Sequence, residues 1–117
     1  MLFLCLYKPA APATQPTPEH MKTMGEYVQS SIRNGTLVST GPLGRRESGG
    51  ARVSLVKGRV GVQSGAELDS LLMRAAGYAL IRAGSREEAS RQVADFMRIA
   101  GDGEVEFLEV PEMPPPN

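Results

Sequence analysis

His20 is the chain's only histidine, and therefore the only side chain that ordinarily titrates near neutral pH. It stands three residues past Thr17, in the first turn of a helix announced by Thr17-Pro18-Glu19. An imidazole held there is a candidate general base. Tyr7 and Tyr78 each fall in a predicted strand, at opposite ends of the chain. Each could offer a phenol to a ligand or pack in a core with its hydroxyl at the surface. Cys5, the single cysteine, lies inside an apolar run and reads as a small buried hydrophobe rather than a nucleophile. Arg52 follows Gly49-Gly50, and Arg45-Arg46 follow Gly41-Pro42-Leu43-Gly44. Loop amides beside guanidinium groups could hold a small anion, though a solvated hairpin loop is the plainer reading. A zinc site needs several donors in one constellation. One histidine, one cysteine and scattered carboxylates do not supply it, so no metal is expected. No Gly-x-Gly-x-x-Gly opens a helix and there is no P-loop lysine, so no cofactor is expected either.

These residues need elements to position them. Leu2 to Tyr7 is a continuous apolar run closed by Lys8-Pro9, as in a central strand buried on both faces. Ala10 to Pro16 is a proline-rich loop. The helix after Thr17 carries Met21, Met24, Val28 and Ile32 as its expected buried stripe and stops at Asn34-Gly35. Thr36 to Gly41 reads as a second strand, followed by a glycine-rich connection through Gly50. Arg52 to Leu55 and Arg59 to Gln63 form a hairpin around Lys57-Gly58. Between Ser64 and Ala76, Leu68, Leu71 and Leu72 suggest a helical turn. Tyr78 to Arg82 is a strand, and Ser85-x-x-Glu88 is a capping box. Ala89, Val93, Phe96, Met97 and Ala100 form the second apolar stripe, ended by Gly101-Asp102-Gly103. Val105 and Phe107 then alternate with glutamates in a last strand. Stripped of its insertions, the order is two βαβ-like halves on one sheet, a ferredoxin-like α+β protomer. Two helices cover one sheet face and leave the other apolar, so a homodimer is expected.

Composition agrees with a single domain over residues 1–110 and a proline-rich tail over 111–117. With 13 basic and 13 acidic residues the net charge is zero, which gives no footprint for nucleic acid or an anionic membrane. A lone cysteine cannot form an internal disulfide, and Met1 to Tyr7 is too short to span a bilayer. Both point to the cytoplasm. Arg45, Arg46, Arg52, Lys57 and Arg59 crowd the middle of the chain, whereas Asp102, Glu104, Glu106, Glu109 and Glu112 crowd its end. The two groups could meet within a protomer or across a dimer.

Several blocks, in order, resemble the YCII-related family in its DGPF branch. They are Leu2-Phe3-Leu4-Cys5-Leu6-Tyr7, Pro16-Thr17-Pro18-Glu19-His20-Met21, Gly35-x-Leu37-x-x-Thr40-Gly41, Gly50-Ala51-Arg52-Val53, Gly77-Tyr78-Ala79-Leu80-Ile81, Ser85-x-Glu87-Glu88-Ala89 and Ala100-Gly101-Asp102-Gly103-Glu104-Val105-Glu106. The resemblance implies a dimeric α+β barrel and a histidine–aspartate working pair with His20 as its base. The namesake Asp-Gly-Pro-Phe turn is altered, however. Here it reads Ser64-Gly65-Ala66-Glu67, with Asp69 close behind. Gly65 survives, but Ser64 cannot supply a carboxylate. Three functions follow as expectations. The first is a small-molecule-binding or accessory protein, with Tyr7, Arg52, Ser64, Glu67, Asp69 and Tyr78 around a small anionic or aromatic ligand. The second is a lyase or isomerase using His20 with Asp69, Glu67 or Tyr78. The third is a structural dimerisation module that binds a protein partner.

Overall fold

A computed structural model describes residues 1–10 and 17–112. Most of the Ala10–Pro16 loop and the end of the tail lie outside the described residues. β1 (Leu2–Pro9), β2 (Leu37–Pro42), β5 (Gly77–Arg82) and β6 (Gly103–Val110) form one sheet in the order β2-β5-β1-β6. Every neighbouring pair is antiparallel. α1 (Pro18–Arg33) carries the chain from β1 past β5 to β2, and α4 (Arg86–Ala100) carries it from β5 past β1 to β6. The fold is mixed α+β, with the most apolar strand at the centre of the sheet.

Register decides which side chains meet the helices. Cys5 stands opposite Ala79 and Phe107, and Phe3 stands opposite Ile81. Strand alternation sends these to one face, where Phe3, Cys5, Leu37, Ile81, Ala83 and Ala89 form the buried core. The Phe3 and Phe107 rings meet edge to face at 5.5 Å. Leu2, Leu4 and Leu6 point the other way, beside Leu80, Leu108 and Val110. Among the described residues neither long helix covers that face, and Leu4 is 42% exposed and Leu108 78%. Burial of β1 on both faces is therefore corrected, because both long helices pack on the same side of the sheet.

The stripe expected on α1 is also corrected. Met21 and Ile32 are exposed, while His20, Met24, Tyr27, Val28 and Ser31 turn inward. At about 100° per residue, positions 21 and 32 sit roughly 80–100° from the centre of the inward row. The apolar pattern misled because two half-polar residues, His20 and Tyr27, take the inward places. The helix start is as expected: the Thr17 hydroxyl accepts from the His20 amide at 3.1 Å. On α4, the Ser85 hydroxyl accepts from the Glu88 amide at 3.1 Å, and the Glu88 carboxylate returns to the Gly84 amide at 2.7 Å. The capping box is displaced by one residue but closes the same loop.

The long insertion folds separately from the main sheet. The connection before Gly50 contains a helical turn, α2 (Arg46–Gly49). β3 (Ala51–Val56) and β4 (Arg59–Ser64) pair only with each other. Lys57 and Gly58 both have positive φ, 51° and 80°, the turn geometry that matches strand twist. At the hairpin's base the Gly65 amide donates to the Gly50 carbonyl at 2.8 Å. A side-chain carbon at Gly65 would strike the Arg46 carbonyl, so only glycine fits there. Arg46 donates to the Leu68 carbonyl at 3.1 Å, and Leu68 is buried. Ser70 then caps α3 (Leu71–Arg74). The Ala76 amide donates to Tyr7 O and its carbonyl accepts from Leu43 N, which ties this insertion to the end of the sheet.

Candidate functional site

The space between the helices and the sheet is not filled. A cavity of about 370 Å³ opens there. Its floor is Cys5, Tyr7, Ala79, Ile81 and Val105, all on the inward row of their strands. α1 contributes His20, Met24, Tyr27, Val28 and Ser31 as one wall. α4 contributes Gln92, Val93, Phe96 and Ala100 as the other. Small residues on the inward row, Cys5, Ala79 and Ala100, leave the room that larger ones would occupy.

Three aromatic rings adjoin across this space. Tyr7 meets Phe96 edge to face at 5.6 Å, and Tyr27 lies tilted against Phe96 at 6.4 Å. The Tyr7 hydroxyl is 3.3 Å from both the Gly101 and Asp102 carbonyl oxygens and donates toward them, fastening β1 to the turn before β6. The Tyr27 hydroxyl donates to the Gln92 carbonyl at 3.4 Å, joining the two helices. Burial raises the pKa of both phenols; for Tyr7 the nearby Asp102 carboxylate adds to it. Their protons are therefore committed to the main chain, and each oxygen keeps only acceptor capacity for a guest. Burial also pushes the Cys5 thiol up to about 11. That value holds Cys5 as an unreactive thiol at neutral pH.

Charge is absent from the lining. Among the described residues no aspartate, glutamate, lysine or arginine borders the cavity, and His20, half-buried, is its one imidazole. The cavity can thus hold an apolar body, stack it on aromatic edges and offer it a few hydrogen-bonding groups.

Of the residues singled out from the sequence, the fold brings Tyr7 and His20 together here. Tyr78 borders the cavity, but the register pairs it with Leu6 and Gly41, which sends its side chain to the open face of the sheet. There its hydroxyl shares a 3.1 Å hydrogen bond with Ser39. Arg52 is exposed on the hairpin. Ser64 is exposed too, and its hydroxyl accepts from the Ala66 amide at 3.2 Å, capping a 3₁₀ turn over Gly65–Glu67. Glu67 faces solvent. Asp69 is paired with Arg74, whose hydrogen bond and charge hold its carboxyl below the usual range. None of these four lines the cavity.

Sequence reasoning missed Tyr27, Ser31, Gln92, Thr40 and Phe96 as a common lining. The signal was present on α1, since His20, Met24, Tyr27 and Ser31 recur at spacings of four, three and four. The described residues contain no group of three histidine, cysteine or acidic side chains able to hold a metal ion. Nor do they contain a helix long and apolar enough to cross a membrane. No protein-family model matches the chain, and no curated protein matches it.

Proposed function

We propose that this chain binds a small, neutral, largely apolar or aromatic molecule between its helices and its sheet, as a member of the YCII-related type. One observation carries the reading: a cavity of about 370 Å³ with three adjoining aromatic rings and no charged lining side chain. Ligand sites are commonly of this size and character, apolar with a few placed polar groups. The strand order β2-β5-β1-β6, with two interleaved crossovers, supports a ferredoxin-like protomer. The open leucine face of the sheet supports a homodimer of the barrel kind. A small anion is the weaker choice of guest, since Arg45 and Arg52 lie away from the cavity.

His20 on the wall of the same cavity is the observation that favours a lyase or isomerase reading. A base there would work without a carboxylate partner from the described lining, so binding is the better-supported role.

The test is a screen of aromatic and aliphatic fragments by amide chemical shifts, followed by the same screen on Ala100→Leu. Binders should move the signals of Ala79, Val93 and Phe96, and the leucine should abolish the effect. If no fragment perturbs those amides at millimolar concentration, the binding reading fails. Turnover of an enolisable or halogenated acid that His20→Ala removes would replace it with the enzyme.

A further inference from the structure

The protons of the polar side chains around the cavity follow one pattern. Tyr7 and Tyr27 give theirs to main-chain carbonyls. The Thr40 hydroxyl donates to the Tyr78 carbonyl at 2.8 Å. The Thr36 hydroxyl donates to the Asn34 side-chain oxygen at 2.6 Å, with the Ser31 carbonyl at 3.3 Å. The Gln92 side-chain nitrogen donates to the Arg82 carbonyl at 3.3 Å, so the end it keeps for other partners is its oxygen, Oε1. Even the Cys5 thiol leans on the Phe3 carbonyl, at 4.0 Å.

Little else in the lining has a proton to give. The buried Ser31 hydroxyl is directed at the Tyr27 oxygen, where it favours the phenolate against the effect of burial. Strand amides lie in the plane of the sheet and helix amides along the helix axis, so neither kind points its N–H into the space between them. What these groups keep for a guest is lone pairs. His20 is the exception among the described lining residues, because a neutral imidazole offers one N–H and one lone pair.

We infer that the cavity selects a hydrogen-bond donor: a neutral aromatic molecule with a hydroxyl or ring N–H, which it gives to the phenol oxygen of Tyr27 or Tyr7. This rests on the binding role proposed above. A guest whose one polar atom is a carbonyl or ether oxygen would set oxygen against oxygen, and inside the cavity that atom would go unpaired. A site built around one hydrogen bond rejects the analogue that cannot make it more strongly than it rejects a change of size. The aromatic edges of Tyr7, Tyr27 and Phe96 then hold the ring, and the phenol oxygens fix which way it points.

Matched fragments, titrated into the full chain and read by the amide shifts of Ala79, Val93 and Phe96, test the preference. Indole is set against benzofuran, and phenylethanol against acetophenone, each pair alike in size and shape. The donor of each pair should bind about fivefold more tightly, the net contribution of one hydrogen bond. Tyr7→Phe and Tyr27→Phe should each remove part of that ratio, while benzofuran, which needs no acceptor, keeps its parent affinity and so reports an intact cavity. Equal binding within the pairs, or tighter binding of the acceptor, overturns the donor preference and leaves the binding role standing. A ratio untouched by either phenylalanine, or one that collapses in His20→Phe instead, overturns the assignment to the phenol oxygens. A chain that binds neither member of either pair overturns the binding role and the preference with it.

Discussion

Ser64 and Gly65 show how neighbouring residues of one altered turn answer to different physics. Gly65 is held by the Arg46 carbonyl against its α-carbon, at the point where the hairpin leaves the body. Gly65→Ala should cost about 2 kcal/mol or more, read as a melting temperature lower by roughly 8 °C or more. Ser64 only caps a turn, a task aspartate does equally well, so Ser64→Asp should leave stability within about 0.5 kcal/mol. It should also create no histidine–aspartate pair in the cavity, because His20 lines that cavity and Ser64 does not. The buried acids of the site give a pH dependence of fixed sign. Cys5 has a folded value of about 11 against an ordinary 9.0, and Tyr7 and Tyr27 are raised above 10.0. The unfolded chain therefore loses these protons first. Stability should be complete below pH 9 and decline as pH climbs through 10 and 11, and Cys5→Ala should remove the earliest part of the decline in urea titrations at each pH.

Each helix sits where its caps and inward row place it, and the two helices differ in how plainly they declare that row. On α4 the caps and the stripe agree, with Ala89 fully buried and Val93 and Phe96 facing the cavity. Ser85→Ala should therefore cost about 1 kcal/mol in thermal denaturation. On α1 hydrophobicity and orientation disagree. Met21→Lys and Ile32→Lys should each change stability by less than about 0.5 kcal/mol, since both side chains already meet water. Val28→Ala, on the inward row, should cost more, about 1–2 kcal/mol. Equal losses at all three positions would mean that α1 is rotated from the orientation described.

At the scale of the whole molecule, a body with an unfilled interior and a projecting arm is spending stability on its surfaces. Ala100→Leu should fill part of the cavity and raise stability by about 1–2 kcal/mol while removing fragment binding. A gain in stability with binding intact would show that the ligand sits elsewhere. The thin core fits this account, since three of its six buried residues are alanine or cysteine: Cys5, Ala83 and Ala89. The open sheet face and the hairpin leave the remaining apolar surface in contact with water.

The order of strands and helices, the hairpin with its Lys57-Gly58 turn, both helix starts and the apolar core of β1 were legible in the linear pattern, because period, caps and turn residues act over a few positions. So was the uncovered second face, which follows from having only two long helices. The cavity was not legible. It arises where small side chains from β1, β5 and α4 happen to face Tyr27 and Phe96, and no local signal reports a volume left between distant segments. The grouping of His20 with Tyr7, and the separation of both from Ser64 and Asp69, belong to tertiary structure for the same reason: register and helix rotation choose which faces meet, and a single-residue step in either exchanges one set of neighbours for another.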